Sequence, residues 1–184
     1  MPNPPALAAA PMEIFTDGGC SPNPGRGGWG FVVVQDGQSI GENFGGEPRT
    51  TNNRMEITAI IHGLLSIPPG AAATIVSDSQ LAINIISGSW RAKANRALVK
   101  EAQALVGERH ITFRWVRGHA GDRWNERADA LAAQGIGKVS RENRKKHKRP
   151  GKRRVTSRHC DDLRLQAERD RIPFDDSLPV HLIP

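Results

Sequence analysis

The sequence predicts an α/β domain built on a five-stranded mixed sheet, and three observations carry that expectation. Three runs of β-forming residues follow one another with short connections between Met12 and Phe44, the pattern of an antiparallel meander. From Asn52 onward the apolar spacing changes to the helical period, and helices alternate with two further short apolar runs in the order α, β, α, α, β, α. Strands separated by helices pair in parallel, so the meander is joined to parallel crossovers, with helices on both faces of the sheet.

Met12 to Phe15 is apolar and strand-like and ends in Thr16-Asp17-Gly18-Gly19, and Cys20-Ser21-Pro22-Asn23-Pro24-Gly25 follows as a dense turn signal. Gly28 to Val34 is rich in β-formers, and an Asp36-Gly37 hairpin turn leads to a third strand over Gln38 to Phe44. Asn52 or Asn53 can cap a helix from Arg54 to about Ser66, where Met55, Ala59, Ile60 and Leu64 recur at helical spacing before Pro68-Pro69-Gly70. Ala73 to Ser77 reads as a short buried strand, Asp78 to Ile86 as a short helix stopped at Gly88, and Arg91 to Val106 as a second helix. Ile111 to Val116 is the fifth strand, and Asp122 to Gln134 is the last helix, with Trp124, Ala128 and Leu131 on one side. The domain is expected to span 12–137, after a disordered Pro/Ala-rich leader (1–11) and before a largely disordered extension (138–184).

Composition narrows the function. The chain has 184 residues, 38% of them hydrophobic, and no run approaches the ~20 apolar residues of a membrane helix. The leader lacks the basic start and apolar core of a secretory signal, so a cytoplasmic protein is expected, with a nuclear one as the alternative. Two distant cysteines, Cys20 and Cys160, make neither a metal-type spacing nor a disulfide framework. The net charge of +7 is unevenly placed: Arg141 to Arg158 holds ten Lys/Arg against one Glu, and His159 to Pro184 three Arg against six acids, which leaves residues 1–140 at +1. A basic run of this kind serves as a solubilising or targeting tail, or attracts nucleic-acid phosphates; beside the body described next, the second is favoured.

Four acids sit where a purely structural role is awkward. Asp17 follows the first apolar run, Asp78 follows the fourth strand, Glu56 lies in the first turn of the first helix, and Asp129 lies in an otherwise apolar stretch of the last helix. If the first and fourth strands are neighbours, Asp17 and Asp78 converge at one end of the sheet, and packed helices can bring Glu56 and Asp129 to them. Carboxylates so close repel strongly unless divalent cations hold them together, and an all-oxygen donor set suits Mg²⁺ or Mn²⁺. Each acid also has an ordinary explanation: Asp78 as a helix cap, Glu56 as a complement to the helix dipole, Asp129 as a partner of Arg127. His119, in the glycine-flanked loop Arg117-Gly118-His119-Ala120-Gly121 just before the last helix, can move protons near neutral pH.

Thr16-Asp17-Gly18-Gly19-Cys20, Asn23-Pro24-Gly25, Thr51-Asn52-Asn53-Arg54-Met55-Glu56, Ser77-Asp78-Ser79-Gln80 and Gly118-His119-Ala120-Gly121 through Asn125-Glu126-Arg127-Ala128-Asp129 resemble the ribonuclease H type 1 family in order and spacing. The resemblance implies the ribonuclease H-like fold and endonucleolytic cutting of the RNA strand of RNA–DNA hybrids. It implies Asp17, Glu56, Asp78 and Asp129 as ligands of two Mg²⁺ ions, replaceable by Mn²⁺, with Asp17 shared between them. It also implies His119 as an aid to proton transfer or product release. Asn23, Asn52, Asn53 and Gln80, with backbone at Gly18, Gly19 and Cys20, would line the shallow groove of the hybrid, where amides suit 2′-hydroxyls. Thr51 and Asn52 would seat a phosphate of the DNA strand.

The chain departs from the family in three places. Many members carry a long basic handle before the fifth strand, and only 30 residues separate Gln80 from Ile111 here. Val34 stands near where some relatives place an arginine, and 138–184 matches nothing in the family core. The basic run of 141–158 is therefore expected to replace the handle as the electrostatic grip. The competing functions are the same fold with specificity relaxed toward double-stranded RNA, and a non-catalytic basic RNA-binding protein. A monomer is expected.

Overall fold

The sheet runs in the order β3-β2-β1-β4-β5. A computed structural model describes residues 12–147 of the chain. Its elements are β1 (Met12–Ser21), β2 (Gly25–Gln35), β3 (Gln38–Thr50), α1 (Asn52–Leu65), β4 (Ala72–Ser77), α2 (Gln80–Ile86), α3 (Arg96–Gly107), β5 (His110–Trp115) and α4 (Arg123–His147). β1, β2 and β3 pair antiparallel, while β1–β4 and β4–β5 pair parallel. The expected meander with parallel crossovers is therefore the observed sheet. The leader of 1–11, the acidic end and most of the basic run of 141–158 lie outside the described residues.

Alternation along the central strands makes two apolar layers. Ile14, Trp29, Phe31 and Val33 pack with Met55, Ile60 and Leu64 of α1 and with α2 and α3, whereas Phe15, Val32, Val34 and Val76 pack with Ala128 and Leu131 of α4. Val34, at 2% exposure, thus belongs to the layer beneath α4 and faces no phosphate. Among the described residues, no helix is long and apolar enough to cross a membrane.

Several boundaries differ from the sequence expectation, each for a local reason. β1 runs past Gly19 to Ser21, because Cys20 and Ser21 still pair with Gly27 and Arg26 in the ladder. The turn is confined to 22–24. α1 begins at Asn52 with Thr51 as its cap residue, without a side-chain cap bond, so neither Asn52 nor Asn53 caps it. α3 begins five residues late because Asn95, at φ 54°, takes the left-handed conformation that stops a helix. At the hairpin, Asp36 (φ 52°) and Gly37 (φ 71°) both adopt positive φ, as a type I′ turn demands.

The largest difference is α4, which passes through Gly135 and Gly137 to His147. Gly135 is there for close approach: a methyl at this position would overlap the Gly45 carbonyl oxygen and lie 3.1 Å from the Gly28 Cα. Val139, 5% exposed, packs beside Gly46 and holds the next turn to the sheet.

Arg109 ties the far end of the molecule together. Its side chain is 3% exposed; Nε and Nη2 donate to the Ile67 carbonyl at 3.3 and 3.1 Å, and Nη1 donates to the Leu105 carbonyl at 2.9 Å. Arg109→Ala strands those buried carbonyls, and a loss of about 2–3 kcal/mol is expected as a lower urea midpoint with an unchanged slope.

Candidate active site

The parallel pairing of β1 with β4 carries Asp17 and Asp78 to the same end of the sheet, and the first turn of α1 crosses Gly18 to deliver Glu56. Gly18 has to be glycine: a Cβ there would overlap the backbone of Met55 and Glu56, so this contact sets how closely α1 approaches β1. Asp17, Glu56 and Asp78 each place a carboxylate oxygen within 4.8 Å of the others. Asp129, on α4, lies beside Asp17 and disfavours its charged form. His119 stands at the outer side, 81% exposed, with Nδ1 3.9 Å from Asp129 Oδ2.

The ordinary explanations for the acids fail on inspection. Ser79, not Asp78, caps α2, its hydroxyl accepting from the Ala82 N–H at 3.3 Å. Arg127 pairs with Glu42 on β3, Nε to Oε2 at 2.9 Å, which holds Glu42 below the usual carboxylate range and leaves Asp129 to the acidic cluster. Glu56 is 7% exposed, and its Oε2 is buried without a hydrogen-bond partner.

Electrostatics follow from that crowding. Burial is the main cause that pushes Asp17 from 3.8 up to about 7, with Asp78 and Asp129 adding repulsion; the Gly18 N–H, donating to Asp17 Oδ1 at 2.8 Å, acts in the opposite sense. Burial likewise drives Glu56 well above the carboxylate range, reinforced by Asp17 and Asp78. Left to itself the cluster takes up protons, and a divalent cation relieves the same repulsion. An all-oxygen donor set with an orphaned buried oxygen fits a hard cation.

Of the remaining candidates, Asn52 touches this cluster directly, through Glu56. Asn23 Oδ1 accepts from the Asn52 backbone N–H at 3.3 Å, joining the β1–β2 turn to α1, and Asn52 Nδ2 donates to Glu56 Oε1 at 3.5 Å. The Cys20 thiol lies half-buried, 3.4 Å from the Thr50 carbonyl oxygen, and Gly19 sits on the opposite face beside Ile136. Thr51, Asn53 and Gln80 are exposed. Asn53 edges a groove of about 630 Å³ floored by Ile57, Leu81 and Ile85 and flanked by Trp90, Arg91 and Lys93. Sequence reasoning passed over Trp115, whose indole N–H donates to the Asp78 carbonyl at 3.0 Å, and over Asn125, 3% exposed on α4. The signal for Trp115 was its position just before Arg117-Gly118-His119; nothing in the sequence marks Asn125 apart from its place in the Asn125-to-Asp129 motif.

Comparison with known proteins agrees with this geometry. The RNase H family model matches residues 9–137. A ribonuclease H of Neisseria meningitidis serogroup C is 43% identical over 143 residues, covering 71% of this chain and 98% of that protein. A ribonuclease H of Bordetella bronchiseptica is 44% identical over 138 residues, covering 68% and 88%. Among solved structures, the N-terminal RNase H domain of a Mycobacterium tuberculosis protein superposes with a TM-score of 0.65 at 29% identity, covering 73% of this chain and 99% of that one. LC11-RNase H1, solved in complex with an RNA/DNA hybrid, gives a TM-score of 0.62 at 25% identity, covering 70% and 99%.

Proposed function

The chain belongs to the ribonuclease H type 1 family and is a nucleic-acid hydrolase, and we propose that it cuts the RNA strand of RNA–DNA hybrids at Asp17, Glu56, Asp78 and Asp129 with two bound Mg²⁺ ions. The observation that carries this reading is the convergence of three carboxylate oxygens within 4.8 Å, with Asp129 beside them. When bound, divalent cations acidify water and offset the charge that grows on the phosphate oxygens, and Mn²⁺ has the same hard-oxygen preference.

The protein's own groups do the rest. Asp17, central to the cluster, is the natural shared ligand; the Gly18 N–H fixes one of its oxygens and so orients the other. Glu56 supplies an oxygen with no other partner, and the Trp115 indole steadies the Asp78 backbone from outside. His119, exposed and flanked by glycines, exchanges a proton between solvent and the mouth of the site. Asn23, Asn52, Asn53 and Gln80, with Gly18, Gly19 and Cys20 backbone, meet the sugar edges of the RNA strand, and Thr51 with Asn52 seats a DNA phosphate. The basic run from Arg141 onward adds sequence-independent attraction.

A cleavage panel tests the reading. Matched hybrid, RNA–RNA and DNA–DNA duplexes are incubated with Mg²⁺ or Mn²⁺, and cutting of the RNA strand of the hybrid alone is expected. Equal cutting of double-stranded RNA would replace it with the relaxed-specificity alternative, and hybrid binding without turnover would replace it with a binding protein.

A further inference from the structure

We propose that Trp115 and Gly118 are positioning residues that aim Asp78 into the cation pocket, an inference that rests on the acidic cluster as a divalent-cation centre. Asp78 needs such a hold because its own elements supply little. It lies past the end of β4 at Ser77 and before the start of α2 at Gln80. The chain around the end of β5 fills the gap. The Val116 N–H donates to the Ser77 carbonyl at 3.1 Å, and the Trp115 indole N–H donates to the Asp78 carbonyl at 3.0 Å, beside the Gln80 N–H at 3.2 Å. Those bonds fix where the Asp78 backbone stands; they do not fix the direction of its carboxyl.

Gly118 fixes that direction. A Cβ placed on it would lie 2.5 Å from Asp78 Oδ2, 3.4 Å from Cγ and 3.6 Å from Cβ, so the carboxyl rests where a side chain at 118 would be. The backbone does not ask for glycine here. His119 (φ 52°) and Gly121 (φ 85°) take positive φ in the same loop, whereas Gly118 does not. Gly18 makes the contrast: a Cβ there runs into the backbone of Met55 and Glu56, so α1 itself would have to move. At Gly118 the obstacle is the far end of a flexible side chain, which yields by rotating. A methyl at 118 therefore spares the fold and displaces a ligand.

The displacement matters because the two oxygens of a carboxyl turn as one plane. Asp78 offers an oxygen within 4.8 Å of those of Asp17 and Glu56. Mg²⁺ holds its oxygens at about 2.1 Å with little tolerance. Groups that orient a ligand without touching the ion set metal affinity by about 10–100-fold. The same segment also reaches the fourth acid: His119, next to Gly118, has Nδ1 3.9 Å from Asp129 Oδ2. Residues 118 and 119 thus meet Asp78 and Asp129 in succession, and so bridge a ligand from the end of β4 and one from α4.

The test uses the full chain with Gly118→Ala, with Trp115→Phe, which removes the indole N–H and keeps a ring, and with Ala120→Ser as an exposed neighbour in the same loop. Melting without nucleic acid is followed in chelator and across a Mg²⁺ series. In chelator Gly118→Ala should melt as the wild type does. Its half-saturating Mg²⁺ should rise about ten-fold or more, that of Trp115→Phe several-fold, and that of Ala120→Ser not at all. Hybrid cleavage by Gly118→Ala should be weak at low Mg²⁺ and recover as Mg²⁺ is raised, which a damaged fold would not do. An unchanged half-saturation in Gly118→Ala or Trp115→Phe overturns the role of that residue, and a Gly118→Ala chain that melts well below wild type in chelator overturns the clearance. A wild type that gains no stability from Mg²⁺ removes the cation centre itself, so the two ideas fail by different readouts.

Discussion

Asp17→Asn should abolish hybrid cleavage, by on the order of a thousand-fold or more, while making the metal-free protein more stable. The first effect follows from the several kcal/mol that a correctly held divalent cation contributes to phosphodiester hydrolysis, at ~1.4 kcal/mol per tenfold in rate. Asparagine keeps the acceptor for the Gly18 N–H, which Asp17 Oδ1 meets at 2.8 Å, so the local fold survives the exchange. The second effect comes from the burial and repulsion that raise Asp17 from 3.8 to about 7. Between those values the folded state holds a proton that the unfolded chain has released, so metal-free stability falls as pH rises from about 4 to about 7. The substituted amide cannot titrate and escapes that fall. Melting in chelator at pH 5 and pH 8 should show the wild type losing more on the step than the variant, and Mg²⁺ should restore the wild type alone. A variant that cuts hybrid normally, or a wild type that melts higher at pH 8 than at pH 5 without metal, would falsify the shared-ligand role.

Gly135→Ala should cost more stability than any ordinary surface exchange in α4, about 3 kcal/mol or more. The new methyl meets the Gly45 carbonyl oxygen and its carbon, with the Gly28 Cα beyond, all of it backbone that cannot rotate away. Alanine is otherwise the better helix former by ~1 kcal/mol, so a loss of stability isolates the clash from propensity. Urea unfolding measures it; a midpoint equal to or above wild type would show that α4 does not rest on that glycine. Gly137→Ala is the control, since nothing lies within 4 Å of its Cβ position, and it should stabilise slightly.

Most of the architecture was legible because its signals are local. The Asp36-Gly37 turn, the change of apolar period after Thr51 and the buried run at Ala73 to Ser77 each fix an element without reference to the rest. The acidic cluster was legible through topology, once β1 and β4 were taken as neighbours. What escaped depended on glycines whose reason is another element. Gly18 and Gly19 read as the end of a strand, yet they are where α1 and α4 approach β1; Gly135 and Gly137 read as the end of a helix, yet one of them is its seat. A glycine looks alike in sequence whether it bends the chain or admits a neighbour. The cap of α2 stayed open for a similar reason, because Asp78 and Ser79 are both good caps; the structure gives that place to Ser79.

The two outer strands of the sheet bear on how this protein behaves at high concentration. β3 carries Glu42, Glu47 and Arg49 with Pro48 among them, and β5 carries Arg114, salt-bridged to Glu13 at 2.8 Å, on a run of only six residues. A proline offers no N–H to an incoming strand, and charged side chains on a short border disfavour a second chain laid alongside. Overexpressed protein is thereby guarded against growing into fibrils through its sheet borders.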